Sequence, residues 1–327
     1  MHFPETRKRI LTLLADGQFH SGVELSEQLN ISRSAIWKQL NFLKELGLKF
    51  SAVTGKGYRL DKPLELLNRP TISTALEASV AEQIKILHIH DTLASTNSFL
   101  LEQSEPTGAE ICLAEYQSTG KGRRGRQWVS PFGGNIYLSI LYQYDQGPAA
   151  VSGLSLAAGV AVIRALIKTG YDGVGLKWPN DIYWDQKKLG GILVEVRGDA
   201  EGPCTVVVGI GINVTLSDED AVTIDQPWTD LKQINTVNPA RNLLIATLIN
   251  ELIPIMANFE QAGINTLVDE WRQYDCMRGK QVTLSLGSEK INGIVYGIDD
   301  NGLINLQRAD GEITAYASGE VTFHPEP

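Results

Sequence analysis

"QSTGKGRRGRQW", Gln117 to Trp128, places three glycines (Gly120, Gly122, Gly125) and four cations (Lys121, Arg123, Arg124, Arg126) in a very short stretch. Gly120 to Gly125 fits G-x-G-x-x-G, which in a dinucleotide fold follows a strand and opens a helix aimed at the pyrophosphate. "EICLAEYQ" (110–117) supplies a strand, but "RQWVSPFGGNIYLSI" (126–140) carries Pro131, Gly133 and Gly134 and excludes the helix. A phosphate-binding P-loop fails as well, because Glu115 stands where its first glycine belongs and Gly122 where Ser or Thr should follow the lysine. What remains is a glycine-rich loop between strands, whose amides can turn toward an anion and whose guanidinium groups can grip oxygens in pairs. Four cations this close repel one another, so the loop is expected to be mobile until an anion orders it.

Around this loop the chain alternates strands with long helices. "KILHIHD" (85–91), "NIYLSILYQY" (135–144), "KLGGILVEV" (188–196) and "CTVVVGIGINV" (204–214) read as strands. "VSGLSLAAGVAVIRALIKTG" (151–170) and "PARNLLIATLINELIPIMANFEQAG" (239–263) read as helices. Consecutive strands mixed with crossover helices predict a mixed-sheet α+β domain over 65–272, not a doubly wound one. From 273 to 327, short strands separated by "DDNG" and "RADG" turns predict a small β-barrel.

The N-terminal 64 residues have a different character. "RKRILTLLADG" is an amphipathic helix with Ile10, Leu11, Leu13 and Leu14 on its apolar side. In "SGVELSEQLN", Ser21 and Glu24 form a capping box, and Val23, Leu25 and Leu29 are expected to be buried. "SRSAIWKQLNFLKELG" runs from Ser32 as N-cap to Gly47 as stop, with Ile36, Leu40 and Leu43 inward. A glycine-tipped hairpin, "FSAVTGKGYRL" (50–60), follows as a wing. Two short helices joined by a tight turn, the second with a basic outer face, predict a winged helix-turn-helix that binds DNA. The residues expected at DNA are Gly22, Ser32, Arg33, Ser34, Trp37, Lys38, Asn41 and, nearer phosphates, Lys56.

Charge agrees with this division. Residues 1–62 hold ten Lys/Arg against six Asp/Glu, net +4, so −13 falls on the remainder of a chain whose total is −9. One part is suited to polyanions and the other is not. A hydrophobic fraction of 43% over 327 residues is enough for substantial cores. No apolar run is judged long enough to span a membrane, and the N-terminal stretch has no small-residue cleavage site. Cys112, Cys204 and Cys276 lie far apart, which excludes a disulfide framework or a Cys-rich zinc site and fits a cytoplasmic protein. His88 and His90 share a strand face without an obvious third ligand, so no metal site is expected.

Six motifs together, "STN" (95–97), "EYQSTGKGRRGRQW" (115–128), "SPFGGNIYLS" (130–139), "KWPND" (177–181), "KKLGGILVE" (187–195) and "GIGINV" (209–214), resemble those of the biotin–protein ligases. The whole chain resembles their bifunctional ligase/biotin operon repressor form. That resemblance implies a class II synthetase-like central domain and an SH3-like C-terminal barrel. It implies activation of biotin with ATP and Mg²⁺ to biotinyl-5′-adenylate, then transfer to a lysine of the biotin carboxyl carrier protein of acetyl-CoA carboxylase. It also implies an adenylate-bound homodimer on operator DNA. Ser95, Thr96, Asn97, Gln117, Lys121, Gly122, Arg123 and Lys188 would bind biotin. Gly120, Arg123, Arg124, Arg126, Asn213 and Trp228 would bind the nucleotide, and Lys188 and Arg123 would be catalytic. Lys121 replaces an arginine common in the family loop, which keeps the charge but loses the planar fork and is expected to weaken adenylate retention.

Lys188 has a separate argument: period-two alternation puts it in phase with Gly190, Ile192, Val194 and Val196, an apolar face on which a lysine needs an anion. Asp181, ending "WPND", reads equally as a ligand contact or a turn cap and is left outside the catalytic set. Two other readings stay open: a repressor that senses a ligand without catalysis, and a lipoate or octanoate transferase. A mere sensor needs no phosphate grip, and an octanoyl transferase needs a nucleophilic cysteine, for which Cys112 and Cys204 are poorly placed.

Overall fold

The computed structural model describes residues 2–103, 108–235 and 240–324. Helices α1 (Glu5–Leu14), α2 (Gly22–Leu29) and α3 (Arg33–Glu45) are followed by the hairpin β1 (Phe50–Val53) and β2 (Gly57–Leu60). This is the winged helix-turn-helix expected from the sequence. Its caps are the predicted ones: Ser21 and Glu24 bond reciprocally, and Ser32 Oγ accepts from the Ala35 amide. At the end of α3, Gly47 takes φ 80°, and its amide and that of Leu48 close on Lys44 O and Leu43 O. Val23 is the exception. It is 44% exposed, because the buried stripe of so short a helix has room only for Leu25 and Leu29.

His20 ties this unit together. Its backbone bonds in both directions with Tyr58 of the wing, and its ring lies 3.1 Å from both Asp16 and Glu24. Burial lowers its pKa, but the two carboxylates outweigh burial and hold it above the ordinary histidine value. A raised folded-state pKa stabilises the fold below the unfolded value and loses that contribution as pH rises through the folded value. The melting-temperature deficit of His20→Gln is therefore expected to be largest near pH 5.5 and to shrink toward pH 8.5. A deficit independent of pH across that range would show that protonated His20 adds nothing.

The short helices α4 (Arg69–Thr74) and α5 (Ala78–Ala81) lead into β3 (Ile84–His90), α6 (Thr96–Leu101), β4 (Ala109–Ala114) and β5 (Asn135–Tyr144). After these come α7 (Leu154–Lys168), β6 (Gly175–Lys177), β7 (Asp181–Trp184), β8 (Lys187–Gly198), β9 (Cys204–Asn213), α8 (Leu231–Ile234), α9 (Arg241–Ala262) and α10 (Val268–Gln273). The predicted long C-terminal helix is α9; its first expected residue, Pro239, lies outside the described residues. One sheet runs β3-β4-β5-β9-β8-β7-β6, parallel only between β3 and β4. Alternation sorts its faces: Leu138, Ile140, Val208, Ile210 and Ile212 join the core formed with α7 and α9. The opposite face carries α6 over Cys112, Leu141 and Val207, and beside them the cavity described below.

The segment Pro148–Lys168 and helix α9 are long and apolar enough to cross a membrane, contrary to the reading from sequence, but 67% and 56% of their apolar windows are buried within the protein. They are core helices, apolar around much of their circumference because both sides are covered.

The C-terminal strands β10 (Gln281–Leu286), β11 (Glu289–Ile298), β12 (Ile304–Gln307), β13 (Ile313–Tyr316) and β14 (Glu320–Phe323) form an antiparallel sheet ordered β13-β12-β11-β10-β14. Its interior, including Val282, Leu284, Val295 and Leu306, is continuous with the central core. The N-terminal unit is also anchored: Phe132, from the central part of the chain, is buried among its core residues and stacks on Phe3 at 5.8 Å. Beneath the connection, the buried Glu115 carboxylate meets Arg241 at 2.7 Å and accepts from the Leu67 amide.

Candidate active site

The cavity of about 280 Å³ lies between the glycine–arginine loop, the site face of the sheet and the segment bearing Trp228. At one end stands a polar box. Ser95 caps α6, which delivers Thr96 and Asn97 to the sheet. Thr96 N and Oγ1 both donate to Gln117 Oε1, at 2.8 and 3.1 Å. Ser139 Oγ lies 2.7 Å from Thr96 Oγ1 and 2.6 Å from Asn97 Oδ1, and Gln117 Nε2 donates to Ser130 Oγ at 3.1 Å. Asn97 approaches the sheet so closely that a Cβ at Gly209 would collide with its amide. The floor is the Trp128 indole, lying on Gly211 and near Gly191, where side chains would again collide or crowd it. Its Nε1 is buried with no hydrogen-bond partner among the described residues, a donor left for whatever fills the cavity.

The other end is cationic. Lys188 Nζ is 2.7 Å from Asp181 Oδ1, and Lys177 is 3.8 Å from Asp181 Oδ2. Arg123 donates to Asn180 Oδ1 at 3.0 Å; burial, then the neighbouring Arg124, lowers its pKa, so an anion arriving here relieves both penalties. Burial likewise lowers the pKa of Lys177. Asn213 donates to Thr229 O, and the Trp228 segment is fastened to β8 by paired backbone bonds between Lys188 and residues 227 and 229.

The loop itself is a closed hairpin. The Gly122 amide bonds Arg126 O at 2.7 Å and the Trp128 amide bonds Gly120 O at 2.8 Å, with Arg124 at φ 55° at the tip. Its charges are met within the chain: Lys121 faces Glu195 at 3.4 Å, while Arg124 and Arg126 both pair with Glu320 of β14. Carboxylates remote in sequence thus offset part of the repulsion expected among the four cations, while Arg123 bonds the neutral Asn180.

Of the residues singled out for biotin and nucleotide, all line this cavity except Gly120. A Cβ there would strike Trp128 O, Ser130 Oγ and Gln117 Nε2, so Gly120 serves loop closure. Lys188 does not share the face that simple period-two alternation assigns it. A bulge inserts Leu189 between the pairs Tyr183–Lys188 and Ile182–Gly190, so Lys188 shares its face with Gly191, Leu193 and Glu195, while Ile192 and Val194 turn to the core. Sequence reasoning missed Trp128, Lys177, Asn180, Glu195 and Glu320 and undervalued Asp181. The motifs held a signal for the first four and for Asp181, since "GRQW" contains Trp128, "KWPND" contains Lys177, Asn180 and Asp181, and "KKLGGILVE" ends on Glu195.

In the winged helix, Arg33, Ser34 and Lys38 are exposed on α3, Asn41 is half-buried and Lys56 is exposed at the wing tip. Gly22 opens α2 against Arg33 and Tyr58. Ser32 is exposed but its hydroxyl is committed to the cap. Trp37 remains 44% exposed, yet its ring packs on Phe50 and Tyr58 and so braces the wing against α3.

Cys112 is fully buried and burial pushes its thiol, like that of Cys204, above the ordinary range, which leaves both unsuited to nucleophilic attack. His90 is buried against Phe99, and burial lowers its pKa to about 4, so it is neutral. Among the described residues no three His, Cys, Asp or Glu side chains are grouped to hold a metal ion.

Comparison with known proteins matches residues 90–213 to the biotin/lipoate A/B protein ligase family, 6–59 to an HTH domain and 279–323 to the biotin protein ligase C terminal domain. The chain is 40% identical to the bifunctional ligase/repressor BirA of Escherichia coli (strain K12), over 96% of each chain. It is 34% identical to a biotin–[acetyl-CoA-carboxylase] ligase of Mycobacterium tuberculosis, over 69% of this chain and 85% of that one. Among solved structures, the biotin protein ligase from Aquifex aeolicus in complex with biotin and ATP superposes with a TM-score of 0.63 at 28% identity, covering 74% of this chain and all of that one.

Proposed function

This chain belongs to the biotin protein ligase family, in its bifunctional ligase/repressor form, and on that premise we propose how its parts divide the work. It is a biotin–protein ligase and a DNA-binding repressor. In our reading it joins biotin to ATP as biotinyl-5′-adenylate, releasing pyrophosphate, and passes the acyl group to a lysine of a biotin carboxyl carrier protein. The observation that carries this reading is the continuity of one cavity from the neutral Thr96–Asn97–Gln117–Ser139 box to the Lys188–Arg123 end beside Trp228. The box matches an uncharged, hydrogen-bonding ring system, and the cationic end matches a carboxylate meeting a phosphate.

The first step needs little proton transfer. A carboxylate oxygen attacks the α-phosphorus and pyrophosphate departs, so the protein's task is to bring two anions together and to offset the charge that accumulates. Lys188, held by Asp181, and Arg123, held by Asn180, are pre-positioned for that task. Asn213 and Trp228 would take the adenine side. Magnesium would arrive with the nucleotide phosphates and ease the departure of pyrophosphate. Asp181, with both oxygens facing lysines, is the cavity carboxylate best placed to orient that end of the site.

For repression, the basic face of α3 would enter the major groove with Arg33, Ser34 and Lys38 leading, and Lys56 would meet phosphates. The adenylate would act as corepressor by promoting a homodimer whose two wings reach a palindromic operator. The domains would divide as 1–64, 65–272 and 273–327. Incubation with ATP, magnesium, biotin and a carrier domain is expected to add one biotinyl group to the carrier by intact-protein mass. A carrier of unchanged mass, with no adenylate retained on the chain, would overturn the reading.

A further inference from the structure

Glu195 reaches two parts of the site that the family motifs treat separately. It projects from β8 on the face of Lys188, Gly191 and Leu193, at the end remote from Lys188. Its Oε2 accepts from Asn97 Nδ2 at 2.8 Å, and its Oε1 lies 3.4 Å from Lys121 Nζ on the loop. Asn97 is otherwise fixed by Ser139 and by Leu193 O. Lys121 sits at the hairpin mouth opposite Gln127, where a pull on its side chain acts on the whole loop. Arg124 and Arg126 are held from the other side by Glu320. The loop is therefore spanned by carboxylates at both margins, and the Glu195 margin is the one bonded to the head-group box.

We propose that Glu195 is a positioning residue for the ligase reaction, orienting Asn97 toward the biotin head group with one oxygen and bolting the glycine–arginine loop over the cavity through Lys121 with the other. This rests on the assignment of the cavity to biotin and its adenylate. Occupancy of the head-group box is thereby linked to loop closure, since a ligand that settles Asn97 also settles the carboxylate that Lys121 needs. A lysine suits this part: its single ammonium reaches one carboxylate oxygen and leaves the other for Asn97, whereas a bidentate arginine would compete for both.

The test is a double-mutant cycle on adenylate dissociation from the full-length chain, with Lys121→Met and Glu195→Gln. The glutamine keeps an oxygen for Asn97 but removes the charge. Each single change is expected to speed dissociation by about two- to fivefold, the scale of a half-exposed ion pair, and the double mutant to dissociate no faster than the faster single. Glu195→Ala, which also strips the acceptor from Asn97, should raise KM for biotin well above that of Glu195→Gln. Multiplicative rates in the double mutant, or equal KM values for the alanine and glutamine variants, would overturn the proposal. If the unaltered chain trapped no adenylate, the assignment of the cavity itself would fall, a result distinct from trapping with no coupling.

Discussion

Lys188→Ala is expected to abolish biotin-dependent exchange of pyrophosphate into ATP, a fall on the order of 10²–10³, the cost of removing one pre-positioned donor from a shielded reaction centre. Lys188 is largely buried, bonded to Asp181 and 5.8 Å above the Trp128 ring, so its charge acts with little screening by water. The substitution also leaves Asp181 facing the incoming anions with its shortest ion pair gone and Lys177 at 3.8 Å. Loss of attraction and gain of repulsion act in the same direction. The effect should fall mainly on the rate, because the Thr96–Asn97–Gln117 box that would hold the head group is untouched. Exchange within tenfold of the native rate would remove Lys188 from the charge-stabilising role.

Reversal of charge at Arg33 and Lys38 together is expected to weaken operator binding on the order of 100-fold or more, with biotinylation of the carrier retained. Both side chains project from the exposed face of α3, opposite Ile36, Leu40 and Leu43, which are fully buried, so the fold of the unit should persist. Deleting residues 1–62 should also abolish operator binding, but it uncovers Phe132, which packs in the N-terminal core only a few residues from Trp128. The point reversals separate the two activities more cleanly. A gel shift at native concentration with the doubly reversed chain would dissociate α3 from DNA recognition.

Much of this molecule is written in short-range pattern. The Ser21–Glu24 box, the Ser32 cap and the Gly47 stop fixed α2 and α3 because each cap joins residues within one helical turn. The loop with its three glycines was legible for a similar reason, since Pro131, Gly133 and Gly134 deny it a helix whatever surrounds it. The residues proposed for the head group and the phosphate were singled out through motifs, and the cavity gathers all but Gly120.

The tertiary structure decided what answers those residues. Lys121 meets Glu195 across 74 positions and Arg126 meets Glu320 across 194, separations at which no spacing rule operates. The phase of Lys188 turned on a single bulge at Leu189, because period two reverses every later side chain when one residue is inserted. Local sequence determined which segments are helix, strand and cationic loop, since those choices rest on backbone preferences and nearest-neighbour bonds. The counter-charges, the bulged face and the seat of Phe132 arise only when distant strands meet, because burial and Coulomb attraction depend on distance in space and not along the chain.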